Sequence, residues 1–91
     1  MEFEWDEAKS ERNRIERGLP FELAITLFSG FVVEEPDTRR DYGERRMRAI
    51  GIVRELTLLC VYTHRGTTRR IISLRAANRR ERDVYRSAQR Q

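Results

Sequence analysis

Apolar and polar residues alternate at the N-terminus, where Phe3 and Trp5 interleave with Glu2 and Glu4, the period of a short edge strand. Asp6 then stands as a natural N-cap for the helical segment DEAKSERNRIER, and Gly18 is placed as the C′ residue that ends it. The apolar stripe of this helix is thin and runs through Ala8, Arg12, Ile15 and Leu19. Pro20 suits the first position of a second helix, PFELAITLF, in which Phe21, Ala24, Ile25, Leu27 and Phe28 are apolar around most of the girth. That pattern predicts the main buried helix, stopped at Ser29-Gly30.

Residues 31–35 (FVVEE) read as a short strand cut off by Pro36, followed by a polar turn region that ends at Gly43. Residues 45–53 and 56–63 read as two strands of a tight hairpin, although Arg54-Glu55 lacks the glycine or asparagine that such turns favour. The second of them, LTLLCVYT, is the most apolar and belongs in the middle of the sheet. After the loop His64–Thr68, RRIISLR forms the last strand; strict alternation puts Arg69, Ile71, Ser73 and Arg75 on one face, with Arg70, Ile72 and Leu74 on the other. Asn78 with Glu81 makes a capping-box pattern for a final helix that turns Val84, Tyr85 and Ala88 towards the sheet. The expected class is α+β: a small antiparallel sheet, a four-stranded meander plus the N-terminal strand, with two N-terminal helices and one C-terminal helix. Helices on one face would leave the other open, or covered by something this chain does not encode.

Composition sharpens this picture. Ninety-one residues make one domain, residues 1–91, with a single core. There is no secretory leader and no apolar run near the roughly 20 residues that span a bilayer, which points to the cytoplasm. The net charge of +4 conceals an asymmetry: residues 1–36 carry a balance of −5 and residues 37–91 a balance of +9. The second half therefore presents a basic field that draws polyanions. Its densest part is RRIISLRAANRRER, residues 69–82, a strand–helix corner crowded with guanidinium groups. Arginine's planar fork suits phosphate oxygens and stays charged at any working pH. An anion-binding surface and a solvated rim on an ordinary core both fit that crowding.

Several chemistries fall away. One histidine and one cysteine make no zinc pattern, and no glycine-rich phosphate loop is present. Cys60 and His64, four residues apart in a strand, would lie about 13 Å from each other, too far for a thiol–imidazole pair. The remaining set is rich in arginine: Arg46 and Arg48 on one strand, Arg65 in a loop, Arg70 and Arg75 on the last strand, Arg82 on the last helix. Cleavage of RNA without a metal fits such a surface, because the 2′-hydroxyl is the nucleophile and fixed cations stabilise the pentavalent dianion. Arginine is a poor base, so proton transfer falls to Glu44, Lys9, His64 or Tyr62. Tyr42, in an arginine-flanked turn, is the better candidate for stacking on a base, and Trp5 the better candidate for packing.

Taken together, FEWDEAK near the start, FELA at 21–24, DYGERR at 41–46, VYTHRG at 61–66, RRIISLRAANRRER at 69–82 and Tyr85 form a pattern that resembles the BrnT family of type II toxins. The resemblance implies a RelE-like fold, a metal-independent ribonuclease that arrests growth, and no cofactor. It also implies a ribbon-helix-helix antitoxin of the BrnA type and contact with operator DNA only through the toxin–antitoxin complex, and the open sheet face adds the expectation of an antitoxin-bridged heterotetramer. It highlights Trp5, Asp6, Lys9, Glu44, Arg46, Arg65, Arg70, Ser73, Arg75, Glu81 and Arg82. Of the candidates, Lys9, Glu44, Arg46, Arg65 and Arg75 are expected to be catalytic, and Arg48, Arg70, Ser73 and Arg82 to bind RNA. The chain departs from the family at Arg17, where an imidazole is usual, and at Pro20, Met47 and Leu74. The alternative is a toxin relative without catalysis that binds RNA or its antitoxin through the same arginines.

Overall fold

Capping chemistry sets the helix ends. In the computed structural model, which describes residues 1–91, the Asp6 carboxylate accepts from the N–H groups of Ala8 and Lys9 and opens helix α1 (Glu7–Arg17). Gly18 closes it in the left-handed region at φ 72°, a conformation that costs glycine nothing. The reciprocal bonds of Asn78 and Glu81, at 2.8 and 2.9 Å, open α3 (Arg79–Gln89) as the sequence predicts. Helix α2 is shorter than PFELAITLF. Pro20–Glu22 wind through i→i+3 bonds, so the α-helix proper is Leu23–Phe28. It buries Ala24 and Leu27 and leaves Ile25 48% exposed.

Five strands complete the order: β1 (Glu2–Trp5), β2 (Val33–Pro36), β3 (Arg46–Val53), β4 (Leu56–Arg65) and β5 (Thr68–Ala76), arranged in space as β1-β5-β4-β3-β2. The last four form the expected antiparallel meander, but β1 lies parallel to β5, so the sheet is mixed. Parallel neighbours need a long crossover, and the whole chain between the two strands supplies it. Between β3 and β4, Arg54 takes φ 59°, accepting the left-handed conformation that a two-residue hairpin demands. Pro36 is tolerated because β2 is an edge strand.

The helices occupy both faces of the sheet rather than one. Phe21, Ala24 and Leu27 from the α2 segment pack with Ala49, Leu58, Cys60, Tyr62, Ile71 and Leu74 on the first face. Gly51 admits α2 closely, since a Cβ there would stand 2.8 Å from Leu27 Cγ. Tyr85 of α3 packs with Ile50, Leu59 and Val61 on the second face, and its hydroxyl donates to Phe31 O at 2.8 Å. The central strands are apolar on both sides, and alternation alone cannot say which helix covers which.

Two further expectations change. The α1 stripe is not what packs: Ile15 is 68% exposed, while Ser10 and Asn13 are buried. Asn13 Nδ2 donates to Leu19 O at 2.6 Å and to Leu74 O at 2.9 Å, and Ser10 Oγ accepts from Phe21 N at 2.9 Å. Hydrogen bonds fasten this helix where apolar area does not. In β5, Ser73 pairs with Val61 and Ile71 with Tyr62, so Ile72 is an unpaired bulge. The bulge resets the alternation: Arg69, Ile71 and Leu74 face α1 and α2, while Arg70, Ser73 and Arg75 face the α3 side.

Candidate functional site

Helix α3 covers only part of the second face, and the uncovered part carries charge. The strand register lines up Arg46 on β3, Thr63 on β4, Arg70 on β5 and Glu4 on β1 as one row across the sheet. Strand spacing sets the backbones of Arg46 and Arg70 about 10 Å apart. Between them Thr63 is buried, its Oγ1 donating to Arg45 O at 2.7 Å, so it forms a floor. Arg46 Nε lies 3.1 Å from Glu44 Oε2, and its guanidinium sits 4.0 Å from the Tyr42 ring centre. Arg70 Nη1 donates to Glu4 Oε2 at 2.7 Å. Arg65, at the open end of β4, is exposed and makes no ion pair. Lys9 is exposed near the β1 end of this row, where its charge and that of Arg70 both reach Asp6. Asp6 is held below the ordinary carboxylate range, first by the hydrogen bond from Lys9 N–H and then by that from Ala8 N–H and by those two cations, with its partial desolvation opposing them.

Under the start of α3 the charges are used internally. The Glu81 side chain is 4% exposed and accepts from Arg75 at 2.9 Å through both oxygens and from Arg48 Nη2 at 2.7 Å. Burial opposes its ionisation, but the hydrogen bonds from Arg75 and Asn78 N–H and the charges of Arg75 and Arg48 outweigh it, leaving the carboxyl below its ordinary value. Arg48 also lies 3.7 Å from Glu35. Arg82 Nη1 donates to Ala77 O at 2.8 Å and so caps the strand–helix corner. Ser73 is half-buried on the same face, on β5 between Arg70 and Arg75.

The structure thus brings together Glu44, Arg46, Arg65 and Arg70 on the open part, and Arg48, Ser73, Arg75 and Arg82 around the Glu81 cluster. Sequence reasoning missed Glu4 and Thr63, and it read Glu81 as capping rather than chemistry. The Glu4–Arg70 pair spans 66 residues and leaves no local signal. Glu81 is a cap that also holds two arginines, a role that depends on where β3 lies. Thiol chemistry is closed off, since Cys60 is fully buried and burial pushes its thiol up to about 12. No helix is long and apolar enough to cross a membrane.

A family model described as ribonuclease toxin, BrnT, of type II toxin-antitoxin system matches residues 5–81. The chain belongs to the BrnT family. As a BrnT chain it is a ribonuclease toxin with an antitoxin as its partner. The matched segment contains every residue named above for the site except Glu4 and Arg82. No curated protein matches this BrnT sequence.

Proposed function

We propose that this BrnT chain cleaves RNA without a metal, on the open part of the α3-bearing face. The observation that carries the reading is the row Arg46–Thr63–Arg70 with the unpaired Arg65 beside it, a cationic strip with a polar floor at the basic end of the sheet. Arg46 and Arg65 hold the scissile phosphate, and Arg70 guides the backbone. Fixed guanidinium groups stabilise the dianion that forms when the 2′-oxygen attacks phosphorus and the 5′-oxygen leaves. Glu44, held against Arg46, takes the 2′-hydroxyl proton, and the departing 5′-oxygen is protonated in turn. Lys9 adds positive charge at the β1 end. Arg75 and Arg48, bound to Glu81, act by fixing the corner, and Ser73 and Arg82 line it.

In this reading residues 1–91 are one toxin domain of RelE-like layout, active in the cytoplasm. A BrnA-type ribbon-helix-helix antitoxin neutralises it in a bridged heterotetramer and carries the contact with operator DNA. The test is incubation of the purified chain with RNA in EDTA, with the ends of the products characterised. Cleavage to 2′,3′-cyclic phosphate and 5′-hydroxyl ends is expected; RNA left intact at high protein concentration would sink the proposal.

One observation favours the second reading, a toxin relative that binds and does not cut. Arg46 and Arg70 each have a carboxylate partner, so the strip is partly neutralised before any RNA arrives. That reading expects tight, salt-sensitive RNA binding and no new RNA ends in the same assay.

A further inference from the structure

The opposite face of the sheet holds a cation that the row above does not use. Arg69 stands directly across the β4–β5 ladder from His64, on the face of α1 and α2. Its guanidinium carbon lies 4.0 Å from the Phe28 ring centre, 5.5 Å from that of Tyr62 and 5.8 Å from that of Phe3. Its Nε is buried without a hydrogen-bond partner, and no carboxylate pairs with it. The Glu34 carboxylate beyond Tyr62 is engaged by the Tyr62 hydroxyl. Every other arginine of β3 and β5 has an anionic partner: Arg46 with Glu44, Arg48 and Arg75 with Glu81, Arg70 with Glu4. His64 is exposed and its ring centre lies 5.2 Å from that of Tyr62.

Three aromatic rings thus surround a guanidinium and contribute no oxygen acceptor except the Tyr62 hydroxyl. One face of the guanidinium lies over Phe28, and its edge donors suit an anion that offers two oxygens, as phosphate does. We infer that Arg69 and His64 form a phosphate subsite for the RNA strand, next to the scissile position but on the far side of the sheet. The inference rests on the ribonuclease reading and extends it to the path of the substrate. The ladder ends at the Arg65–Thr68 pair, two residues beyond Thr63 and Arg70, about 7 Å along the strands. A single strand that leaves Arg46 and Arg65 passes over this end and meets Arg69 within a few nucleotides. Single-stranded RNA follows such a bend, and the strip of cations on both sides of the tip tracks its backbone.

The test is fluorescence anisotropy of the full chain with a labelled single-stranded dodecamer of 2′-O-methyl RNA, which cannot be cut, over a series of salt concentrations. Arg69→Met removes the charge and puts an unbranched apolar side chain beside Phe28 in place of the guanidinium. Loss of one phosphate contact lowers the slope of log affinity against log salt by about 0.7, which is roughly fivefold weaker binding at 0.1 M salt. Arg70→Met, on the proposed catalytic face, is the control and should fall by a similar amount. If Arg70→Met weakens binding and Arg69→Met keeps the wild-type slope, the subsite is overturned while the ribonuclease reading stands. An unchanged RNA slope combined with weaker antitoxin binding would give Arg69 to the protein partner, and overturns it too. If the wild-type chain binds no RNA, both fail together. Should Arg69→Met lose its fold by circular dichroism, His64→Asn at an exposed position decides: binding at least about twofold weaker supports the subsite, as loss of one hydrogen bond predicts, and unchanged binding overturns it.

Discussion

The two faces of the sheet are built by different means. Under α1 and α2 lies a core of 11 buried residues, closed by Leu27 against Gly51 and by the aromatic rings around Tyr62. Under α3 only four core residues are buried, and beside them sits a carboxylate with two arginines. Apolar burial contributes roughly 25 cal/mol per Å², so the first face carries most of the hydrophobic stabilisation. A buried ion cluster contributes little net stability but is costly to break. The contrast is a division of labour: one face holds the chain together, while the other is kept charged and carries the open row of arginines to which the proposed function assigns the cleavage of RNA.

The largest effect on stability should come from Glu81→Ala, which leaves Arg75 without its counter-ion and Arg48 with only the more distant Glu35, and removes half of the capping box. A loss of about 3–5 kcal/mol in urea unfolding is expected. A change under 1 kcal/mol would mean that the cluster is solvated and that the two faces are held together by similar means. Leu27→Ala, fully buried on the other face, should cost about 2–5 kcal/mol while leaving the cleavage rate of the folded fraction unchanged. A fall in that rate would show that the faces are coupled.

Asn13→Ala sharpens the comparison within the first face, because it removes the side-chain donor to Leu19 O and one of two to Leu74 O, which keeps Arg17 Nη1 at 3.2 Å. About 1–3 kcal/mol is expected, against a change within about 0.5 kcal/mol for the exposed Ala8 of the same helix replaced by Ser. Equal effects at the two positions would restore the apolar stripe as the packing surface.

The smallest effect concerns acid. Asp37 is buried, and the hydrogen bond from Arg39 brings its carboxyl from the ordinary 3.8 down to about 2. A carboxyl lowered on folding adds stability that is complete above its unfolded value and is lost as pH falls through the folded one. Wild-type stability should therefore decline from about pH 3.8 to about 2, and Asp37→Asn should flatten that part of the curve. Identical slopes for the two proteins would remove Asp37 from the account.

Local chemistry was legible in the sequence and long-range pairing was not. The Asp6 cap, the Gly18 terminus, the Asn78–Glu81 box and the four-strand meander follow from residues within a few positions of one another. The bulge at Ile72, the parallel partner of β1 and the side of the sheet taken by α3 depend on residues far apart in the chain, so alternation along one strand misassigned Arg70 and Ser73 to opposite faces. The α1 stripe failed for another reason: periodicity counts apolar carbon, and this helix packs through Ser10 and Asn13. For the site, the residue types were visible from composition. The sorting of arginines into an open row and a Glu81-bound cluster appears only once β3 and β5 are placed on either side of β4.

The most direct measurement is the single-turnover rate of RNA cleavage in EDTA by Arg46→Met, taken beside its thermal midpoint. Removal of one cation aimed at the developing charge should slow cleavage by about 10²–10³, while stability stays within about 0.5 kcal/mol of wild type. A wild-type rate from a fully folded Arg46→Met protein would contradict the assignment of catalysis to the open part of the α3-bearing face.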